Sequence, residues 1–511
     1  MDLQRLTRRA FGRLMRAGLT VAGLAGISGY AARNAQAQNG APQYPEWVPG
    51  ADHLFARIEE IYGWGIRRPA YPADRRAEDY LVREFEALGL VNVRQEPAPV
   101  MHWEPTHHAL HISAGDERFE IDCFPLPLSA LEVDLELELA LFDAADPAAV
   151  TGRAALHRFR LMDMPATMVV EGGPELEKFR AVMPLSFNPE GIVVDPGGTL
   201  SETRQILPFP PEFHEVIEPS QEAGAAAFIG VLEGHPGDIC EYYVPYDARE
   251  RPFPAVWIRE SDGNRLGKMM ASGTVTINLK VKATSEAVTT YNIVGELPGA
   301  DDEILLIASH HDGPWASAVE DASGISLVLG QAEYWSKVPQ DERPHAMQFL
   351  LQAGHMAGST GAIAFTGKHR DMLERIVLEV HLEHAANEVR AGENGPELTG
   401  QPEPRWFFTS RNKDLQSSLK DALLAENLDR SLILAPDVLG RGPTTDGGMY
   451  HVLGVPIVNY LTAPFYLFDT LDTPDKIDQA GLEAITRATI RVLQDTAGVS
   501  AAQMRAGIAG R

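Results

Sequence analysis

Hydrophobic and polar positions alternate regularly along the C-terminal half of the chain. Short apolar runs, each typical of a buried strand, are separated by segments with the apolar spacing of amphipathic helices. The strand-like runs lie near 291–296, 304–309, 347–352, 376–381, 405–409 and 455–461. The helical patterns lie near 323–336, 357–369, 412–426 and 475–497. Strands that alternate with helices predict an α/β domain with a mostly parallel mixed sheet and helices on both faces.

The pattern changes before residue 286. Residues 101–285 are rich in proline and glycine and contain short alternating strands, which predicts a β-rich inserted region. Residues 38–100 hold helical patterns that end at Gly89 and are assigned to the N-terminal part of the main domain. The main domain itself is predicted over 286–499, and 500–511 is a tail.

The first 37 residues have the layout of an export signal. Arg8 and Arg9 lie in a basic stretch, a moderately apolar run follows over 17–32, and Ala35-Gln-Ala37 offers a small-residue cleavage site. The paired arginines resemble a twin-arginine signal, which implies a periplasmic or secreted protein. No other segment reaches the roughly 18 apolar residues of a membrane-spanning helix, so we expect no integral membrane segment after signal removal.

The overall charge narrows the set of partners. The chain of 511 residues has 71 acidic and 44 basic residues and a formal net charge of −27. This balance disfavours binding to nucleic acid and to anionic membrane surfaces. There are only two cysteines, Cys123 and Cys240, and neither has the context of a metal motif or a nucleophile.

Residues that could bind a metal or take part in catalysis cluster directly after the apolar run Ile304–Ala308. His310, His311 and Asp312 follow that strand at once, and Glu320 and Asp321 lie in the next loop. Because open α/β sheets bind ligands at the carboxyl ends of their strands, these side chains should converge. Imidazole and carboxylate groups are the donors that zinc and other divalent ions prefer.

This segment resembles the co-catalytic zinc aminopeptidase family, which includes glutamate carboxypeptidase II and the glutaminyl cyclases. The family carries His-x-Asp after a strand and then Asp-Asn-Ala-Ser-Gly, which match residues 310–312 and 320–324. The resemblance covers most of 286–499. Further matching segments are Tyr291–Gly299, Gly358–Gly361, Gly454–Pro456 and Asp472–Ile477. Residues 221–232, 252–257 and 263–273 resemble a protease-associated domain, which implies that the inserted region 101–285 is such a module.

The resemblance implies ligands at several positions, but some of the family's residues are replaced. Glu320 stands where the family has its bridging Asp, and Glu383 stands at the fourth ligand. The family's Glu-Glu pair, a general base and a ligand, falls on Gly354 or Gln352 and on His355. The last His ligand corresponds to Phe468, beside Asp469.

The predicted site combines these matches with the other donors near the strand ends. The predicted metal ligands are His310, Glu320, His355 and Glu383. The predicted catalytic residues are Asp312, which orients His310, and Glu320, Glu383 and Asp446, one of which serves as proton shuttle. Secondary candidates are His311, Asp321, His384, His451 and Asp469. The cofactor is expected to be one or two divalent ions, most simply zinc.

The sequence therefore predicts an exported metal-dependent hydrolase that cleaves an amide C–N bond of a peptide or small-molecule amide. A metal-bound water is a nucleophile near neutral pH, and the ion polarises the carbonyl. Three alternatives stay open. They are a non-catalytic binding protein on a peptidase fold, a mononuclear enzyme with an iron-type site of two His and one carboxylate, and an acyltransferase similar to glutaminyl cyclase.

Overall fold

The computed structural model describes residues 41–508. The predicted export signal over 1–37 lies outside the described residues, as do the last three residues of the predicted tail. Within the described part, no helix is both long and apolar enough to cross a membrane. Cys123 and Cys240 are both buried and are not joined in a disulfide.

The strands of the described chain are short except for two. They are β1 (Val91–Ala114), β2 (Glu117–Ile121), β3 (Phe124–Pro125), β4 (Glu132–Leu141), β5 (Ala154–Arg160), β6 (Asp163–Pro165), β7 (Ile192–Val194), β8 (Arg204–Ile206), β9 (Ala227–Glu233), β10 (Ala255–Arg259), β11 (Thr276–Leu297), β12 (Ile304–His310), β13 (Ala346–Gln352), β14 (Ile376–Leu382), β15 (Asn387–Gly392), β16 (Gly395–Pro402), β17 (Arg405–Thr409), β18 (Ser431–Leu434) and β19 (Ile457–Leu461).

The helices lie mostly in the main domain. They are α1 (Ala51–Tyr62), α2 (Pro72–Ala87), α3 (Met168–Glu171), α4 (Pro174–Arg180), α5 (Phe213–Glu222), α6 (Glu260–Ser272), α7 (Gly324–Lys337), α8 (Thr360–Lys368), α9 (Arg370–Leu373), α10 (Lys413–Ala425), α11 (Gly447–Val452), α12 (Gln479–Gln494) and α13 (Ala501–Ala506).

The sheet of the main domain has a parallel centre. β12 lies between β13 and β14 and is parallel to both, and β14 is parallel to β19. Every residue of β12 and β14 is buried, which is why their sequences read as continuous apolar runs. Helix α12 packs against α1, α7 and α10, α1 also packs against α7, and α8 packs against α11. The predicted α/β class, with a mostly parallel mixed sheet flanked by helices, is confirmed.

The long antiparallel pair of β1 and β11 joins the main domain to the inserted region. It runs from Val91 opposite Glu296 to Ser113 opposite Thr276. One half of β11 pairs with β13, and the other half pairs with β4, from which the sheet continues through β5, β9 and β10. Both predicted boundaries of the inserted region, near residues 100 and 286, fall inside these two strands.

The inserted region also touches the far edge of the main sheet. β7 pairs with β18 in antiparallel fashion. Met164, Leu176 and Leu207 of the inserted region share one buried apolar cluster with Trp406 and Leu432. β7 therefore extends the sheet of the main domain.

Candidate metal centre

The carboxyl ends of three parallel strands place five donor side chains at one edge of the sheet. His310 ends β12, His355 follows β13, and Glu383 and His384 follow β14. Glu320 comes from the loop between β12 and α7. All five are at least nine-tenths buried. We call this set the donor cluster: His310, Glu320, His355, Glu383 and His384.

The donor atoms lie at distances suited to a shared ion. Nε2 of His310 is 3.2 Å from Oε1 of Glu320 and 3.9 Å from Oε1 of Glu383. Nε2 of His384 is 2.5 Å from Oε2 of Glu320 and 3.6 Å from Oε2 of Glu383. Nε2 of His355 is 4.0 Å from Oε1 of Glu320. Ligand atoms about 2.1 Å from one zinc ion lie roughly 3–4 Å apart, so small side-chain shifts would form a coordination shell.

Two of the imidazoles are oriented by main-chain carbonyls. Nδ1–H of His310 donates to the carbonyl oxygen of Asp312 at 2.9 Å, and Nδ1–H of His384 donates to the carbonyl oxygen of Thr462 at 2.9 Å. These bonds direct Nε2 of each ring into the cluster, and ligating histidines are usually held in this way by a hydrogen bond from the other ring nitrogen.

The third imidazole is oriented by a carboxylate. Nδ1–H of His355 donates to Oδ1 of Asp446 at 3.1 Å. The carboxylate of Asp312 accepts the main-chain N–H groups of His355 and Met356 at 3.1 and 2.7 Å. The predicted role of Asp312 therefore needs a correction: its carbonyl orients His310, while its carboxylate, 3.8 Å from Nδ1, holds the loop that carries His355.

Buried atoms without hydrogen-bond partners collect in the donor cluster. They are Nε2 of His310, both carboxylate oxygens of Glu320, Oε2 of Glu383, Nε2 of His384 and, beside them, Oδ2 of Asp446. Buried polar atoms without a partner are costly, and native proteins rarely keep several together without an ion or water. Because these atoms are imidazole nitrogens and carboxylate oxygens, the residues fit a divalent ion such as zinc.

The charges in the donor cluster depend on one another. Burial alone would raise the pKa of Glu320, but the imidazoles of His384 and His310 hold this pKa well below its usual value. Burial opposes the charging of His384, yet the carboxylates of Glu320 and Glu383 raise its pKa to about 9. The carboxylates are therefore ionised at neutral pH, and an ion would displace protons from the imidazoles. Ion binding should weaken as the pH falls.

His381 was not singled out from the sequence, although it supports the site. Its Nδ1–H donates to Oε1 of Glu379 and its Nε2–H donates to Oε1 of Glu383, both at 2.8 Å. Burial lowers the pKa of His381, but the two carboxylates raise it to about 10, so the ring is a cation that fixes Glu383. The signal was the alternation Glu379-x-His381-x-Glu383, which places three polar side chains on one face of the strand end.

Two secondary candidates use their polar atoms to fix loops. Oδ1 of Asp321 accepts the N–H groups of Gly324 and His384 at 3.0 and 3.3 Å, and Oδ2 accepts the hydroxyl of Ser309. Both nitrogens of His311 are also engaged, with Oδ1 of Asp74 at 2.8 Å and the carbonyl of Tyr291 at 3.0 Å. The structure therefore gives Asp321 and His311 supporting roles outside the donor cluster.

The other two secondary candidates lie apart from the cluster. Oδ2 of Asp469 is 2.7 Å from Nε2 of His235, and both side chains are fully buried. This pair ties the inserted region to the main domain. His451 is partly exposed on α11, where it interacts electrostatically with Asp437.

The Asp74–His311 pair leads to a stability prediction. Burial lowers the pKa of His311, but the charge of Asp74 raises it to about 9, above the usual 6.5. The pair's contribution is thus fully present below pH 6.5 and is lost as the pH rises through 9. Replacing Asp74 with Asn should cost about 3 kcal/mol at pH 6, because a buried charge loses its partner. Urea unfolding at pH 6 and at pH 9.5 measures this cost, which should be smaller at the higher pH.

A matched control for this prediction is Asp79→Asn, since Asp79 is exposed on the same helix, α2. Its unfolding free energy should change by less than about 0.5 kcal/mol. An Asp74→Asn cost that did not change between the two pH values would contradict the assignment of His311 as the charged partner.

Gly354, one of the two residues predicted at the family's base position, has no side chain. This residue has a positive φ of 68°. A Cβ atom added there would lie 2.3 Å from Oγ1 of Thr360 and 2.9 Å from Cγ1 of Val100. The local packing therefore has no room for a carboxylate at residue 354.

An aromatic wall borders the donor cluster. The rings of His310 and His355 stack at 4.1 Å with an interplanar angle of 13°. The ring of Tyr246 lies 5.5 Å from that of His355 and 5.0 Å from that of Phe468. Tyr246 is partly exposed and belongs to the inserted region, so this region contributes to the site. Burial and the charges of nearby carboxylates, Glu320 first among them, raise the pKa of Tyr246 well above 10.

Comparison with known proteins supports the family resemblance. Residues 292–493 match the sequence model of Peptidase family M28. Leucine aminopeptidase 2 of Arthroderma otae is 34% identical over 98 residues, which cover 19% of this chain and 19% of that protein. A probable leucine aminopeptidase 2 of Aspergillus oryzae is 31% identical over 119 residues, which cover 22% and 23%. The chain thus spans about a fifth of the length of these curated relatives.

Solved structures extend the likeness in fold over most of the chain. The aminopeptidase from Aneurinibacillus sp. strain AM-1 has a TM-score of 0.59 at 18% identity, covering 88% of this chain and 94% of that one. BSAP, a zinc aminopeptidase from Bacillus subtilis, has a TM-score of 0.60 at 16% identity, covering 87% and 95%. The predicted resemblance and fold are confirmed. The protease-associated-like assignment of 101–285 stays a prediction.

Proposed function

We propose that this chain, in which residues 292–493 match Peptidase family M28, is a metal-dependent hydrolase that cleaves an amide C–N bond of a peptide or small-molecule amide. The observation that carries the proposal is the donor cluster, where imidazole and carboxylate atoms converge without hydrogen-bond partners. Such a set suits a divalent ion, and zinc is the first choice because a relative in fold is described as a zinc aminopeptidase.

The residues of the cluster have separable tasks. His310 would hold the ion either with Glu320 and His355 or with Glu383 and His384, the two groups whose donor atoms lie close enough together. When bound, the ion would polarise the scissile carbonyl and lower the pKa of the attacking water. The bonds to the carbonyls of Asp312 and Thr462 keep the ligating nitrogens aimed at the ion.

The residues around the donor cluster would shield a bound substrate from bulk water, which favours hydrolysis. The donor cluster is buried, and its partly exposed neighbour is Tyr246. Tyr246 and Phe468 present aromatic surface next to the cluster, which suits apolar contact with a substrate. A low dielectric there strengthens the pull of ionised groups on the reacting carbonyl.

The test is an assay of amide hydrolysis with controlled metal content. Chelator-treated protein should be inactive towards leucine 7-amido-4-methylcoumarin and its N-acetylated analogue, and added zinc should restore turnover of at least one of them. His310→Ala should lower kcat/KM by more than about 10³-fold, because the ligand that ends β12 is lost. His107→Ala, at an exposed position in the inserted region, should leave kcat/KM unchanged.

Other outcomes select the alternatives. Restoration by ferrous iron alone, with a redox product, would indicate an iron-type enzyme. Cyclisation of an N-terminal glutamine without hydrolysis would indicate an acyltransferase similar to glutaminyl cyclase. Tight binding of peptides with no turnover under any metal would indicate a binding protein.

Export through residues 1–37 is also part of the proposal. The basic stretch and the apolar run that follows it support a twin-arginine signal. A fusion of residues 1–37 to a folded reporter should reach the periplasm, and replacement of both Arg8 and Arg9 with Lys should retain it in the cytoplasm. Equal export of both fusions would contradict a twin-arginine signal.

A further inference from the structure

We propose that a cavity at the amino-terminal edge of the main sheet binds a free amino acid with an apolar side chain. Such amino acids are among the products of peptide hydrolysis, so the choice of ligand agrees with the proposed function, while the site itself is separate from the donor cluster. The cavity has a volume of about 370 Å³, at the small end of the range for ligand sites in proteins.

The cavity lies at the opposite end of the parallel strands from the donor cluster. Ile304 and Ala346, which begin β12 and β13 and pair with each other, line it. β12 has 7 residues and ends at His310. At about 3.3 Å per residue, the cavity is therefore roughly 20 Å from the donor cluster. An amino acid bound here would not touch the metal centre.

A guanidinium group without an anionic partner lines the cavity. Nη1 of Arg375 donates to the carbonyl oxygen of Asp302 at 3.2 Å, and the side chain forms no ion pair within the described part of the chain. Arg94 also lines the cavity, but its guanidinium lies 2.8 Å from Oε1 of Glu96 and 2.6 Å from Oε1 of Glu296. Arg375 is therefore the cation that remains for a ligand carboxylate, which a guanidinium binds through two parallel N–H bonds.

An amide oxygen without a hydrogen-bond partner belongs to the wall of the same cavity. Gln348 is 5% exposed, and its Nε2 donates to Oε1 of Glu296 at 3.1 Å. Its Oε1 is buried and accepts no hydrogen bond. Because a buried acceptor without a donor is costly, an ammonium group beside it would be favoured. Asp302, also in the cavity wall, is exposed and adds a negative charge for the same group.

Much of the remaining wall is apolar. Met347 is buried and Met372 is partly buried, and both line the cavity together with Ile304 and Leu297. Methionine side chains are flexible and adapt to the shape of what they contact. An aliphatic side chain such as that of leucine could therefore bury its apolar surface here.

These three features together match a zwitterion that carries an apolar side chain. Arg375 suits the carboxylate, Gln348 and Asp302 suit the ammonium group, and the two methionines suit the aliphatic part. A carboxylic acid without the amine, an amine without the carboxylate, and glycine would each lack one of these contacts. A peptide fits less well, because its two charged termini lie farther apart than those of an amino acid.

The test is isothermal titration of the zinc-loaded protein with L-leucine. We expect the cavity to bind leucine with a dissociation constant in about the millimolar range or below. 4-Methylpentanoate, which lacks the amine, and 3-methylbutylamine, which lacks the carboxylate, should bind at least about 10-fold more weakly. Arg375→Gln should weaken leucine binding by a similar factor. Arg370→Gln, at an exposed position on α9 outside the cavity wall, is the matched control and should bind leucine like wild type.

Methyl NMR of the zinc-loaded protein, labelled with ¹³C at the methionine methyl groups, shows where leucine binds. Leucine should shift the signals of Met347 and Met372 and leave unchanged that of Met356, which follows His355 in the sequence. The variants Met347→Leu and Met372→Leu assign the two signals.

No leucine binding, unchanged affinity in Arg375→Gln, or a shift of Met356 without shifts of Met347 and Met372 would each overturn the amino-acid site. Amide hydrolysis by the same preparation is a separate measurement. Its absence would overturn the proposed function, while leucine-dependent shifts of Met347 and Met372 would still support the cavity as the binding site.

Discussion

Glu320→Gln is expected to weaken zinc binding by more than about 10²-fold and to lower amide hydrolysis by more than about 10³-fold. Glu320 is fully buried, and its two oxygens face Nε2 of His310 at 3.2 Å and Nε2 of His384 at 2.5 Å. Glutamine keeps the shape but removes the negative charge and turns an N–H₂ donor towards one imidazole. The zinc dissociation constant and kcat/KM of the purified variant measure the effect.

The control for this variant is Glu374→Gln, at an exposed position in the main domain. It should match wild type in both measurements. Wild-type zinc affinity in Glu320→Gln would show that this carboxylate is not a ligand and would contradict the donor cluster as the ion site.

Arg67→Met is expected to destabilise the fold by about 4 kcal/mol, because it leaves several buried carbonyls without donors. The guanidinium is fully buried and donates to the carbonyls of His311, Ser317 and Glu320 at 3.3, 2.8 and 3.5 Å, and also to that of Ala316. These bonds fix the loop between β12 and α7, which carries Glu320. Zinc affinity should fall along with stability.

Arg67→Lys should recover little of the loss, since an ammonium group lacks the planar fork that serves several acceptors at once. Arg83→Met, at an exposed site on α2, is the matched control and should change the unfolding free energy by less than about 0.5 kcal/mol. Urea unfolding of the three variants compares them, and an unchanged midpoint for Arg67→Met would contradict the role of this side chain.

The parallel core and much of the donor cluster were predictable from local sequence. β12 and β14 are buried on both faces, so their apolar runs stand out, and polar residues directly after such runs point to the functional edge of the sheet. His310, His355 and Glu383 were found in this way, and Glu320 was found in the loop that follows the first of these runs.

The position of His384 was harder to predict. Successive residues of a strand point to opposite faces, so Glu383 and His384 would normally diverge. His384 has a positive φ of 52°, which ends the strand and lets its ring approach both Glu320 and Glu383. A single sequence carries little signal for such a turn at a residue other than glycine or asparagine.

The contribution of the inserted region to the site could not be predicted from local sequence patterns either. Tyr246 lies more than a hundred residues before His355, and its ring reaches the site because its carbonyl accepts the N–H of Gly358 at 2.8 Å. β7 likewise joins the edge of the main sheet from within the inserted region. Contacts of this kind depend on tertiary packing, which hydrophobic spacing does not encode.

The most direct test of the account is the zinc content of chelator-treated protein after titration with zinc, measured by elemental analysis following removal of free ion. We predict that wild type retains one ion per chain and that Glu320→Gln retains essentially none under the same washing. A wild-type protein that retains no zinc, or a variant that retains as much as wild type, would contradict the claim that the donor cluster is a metal centre.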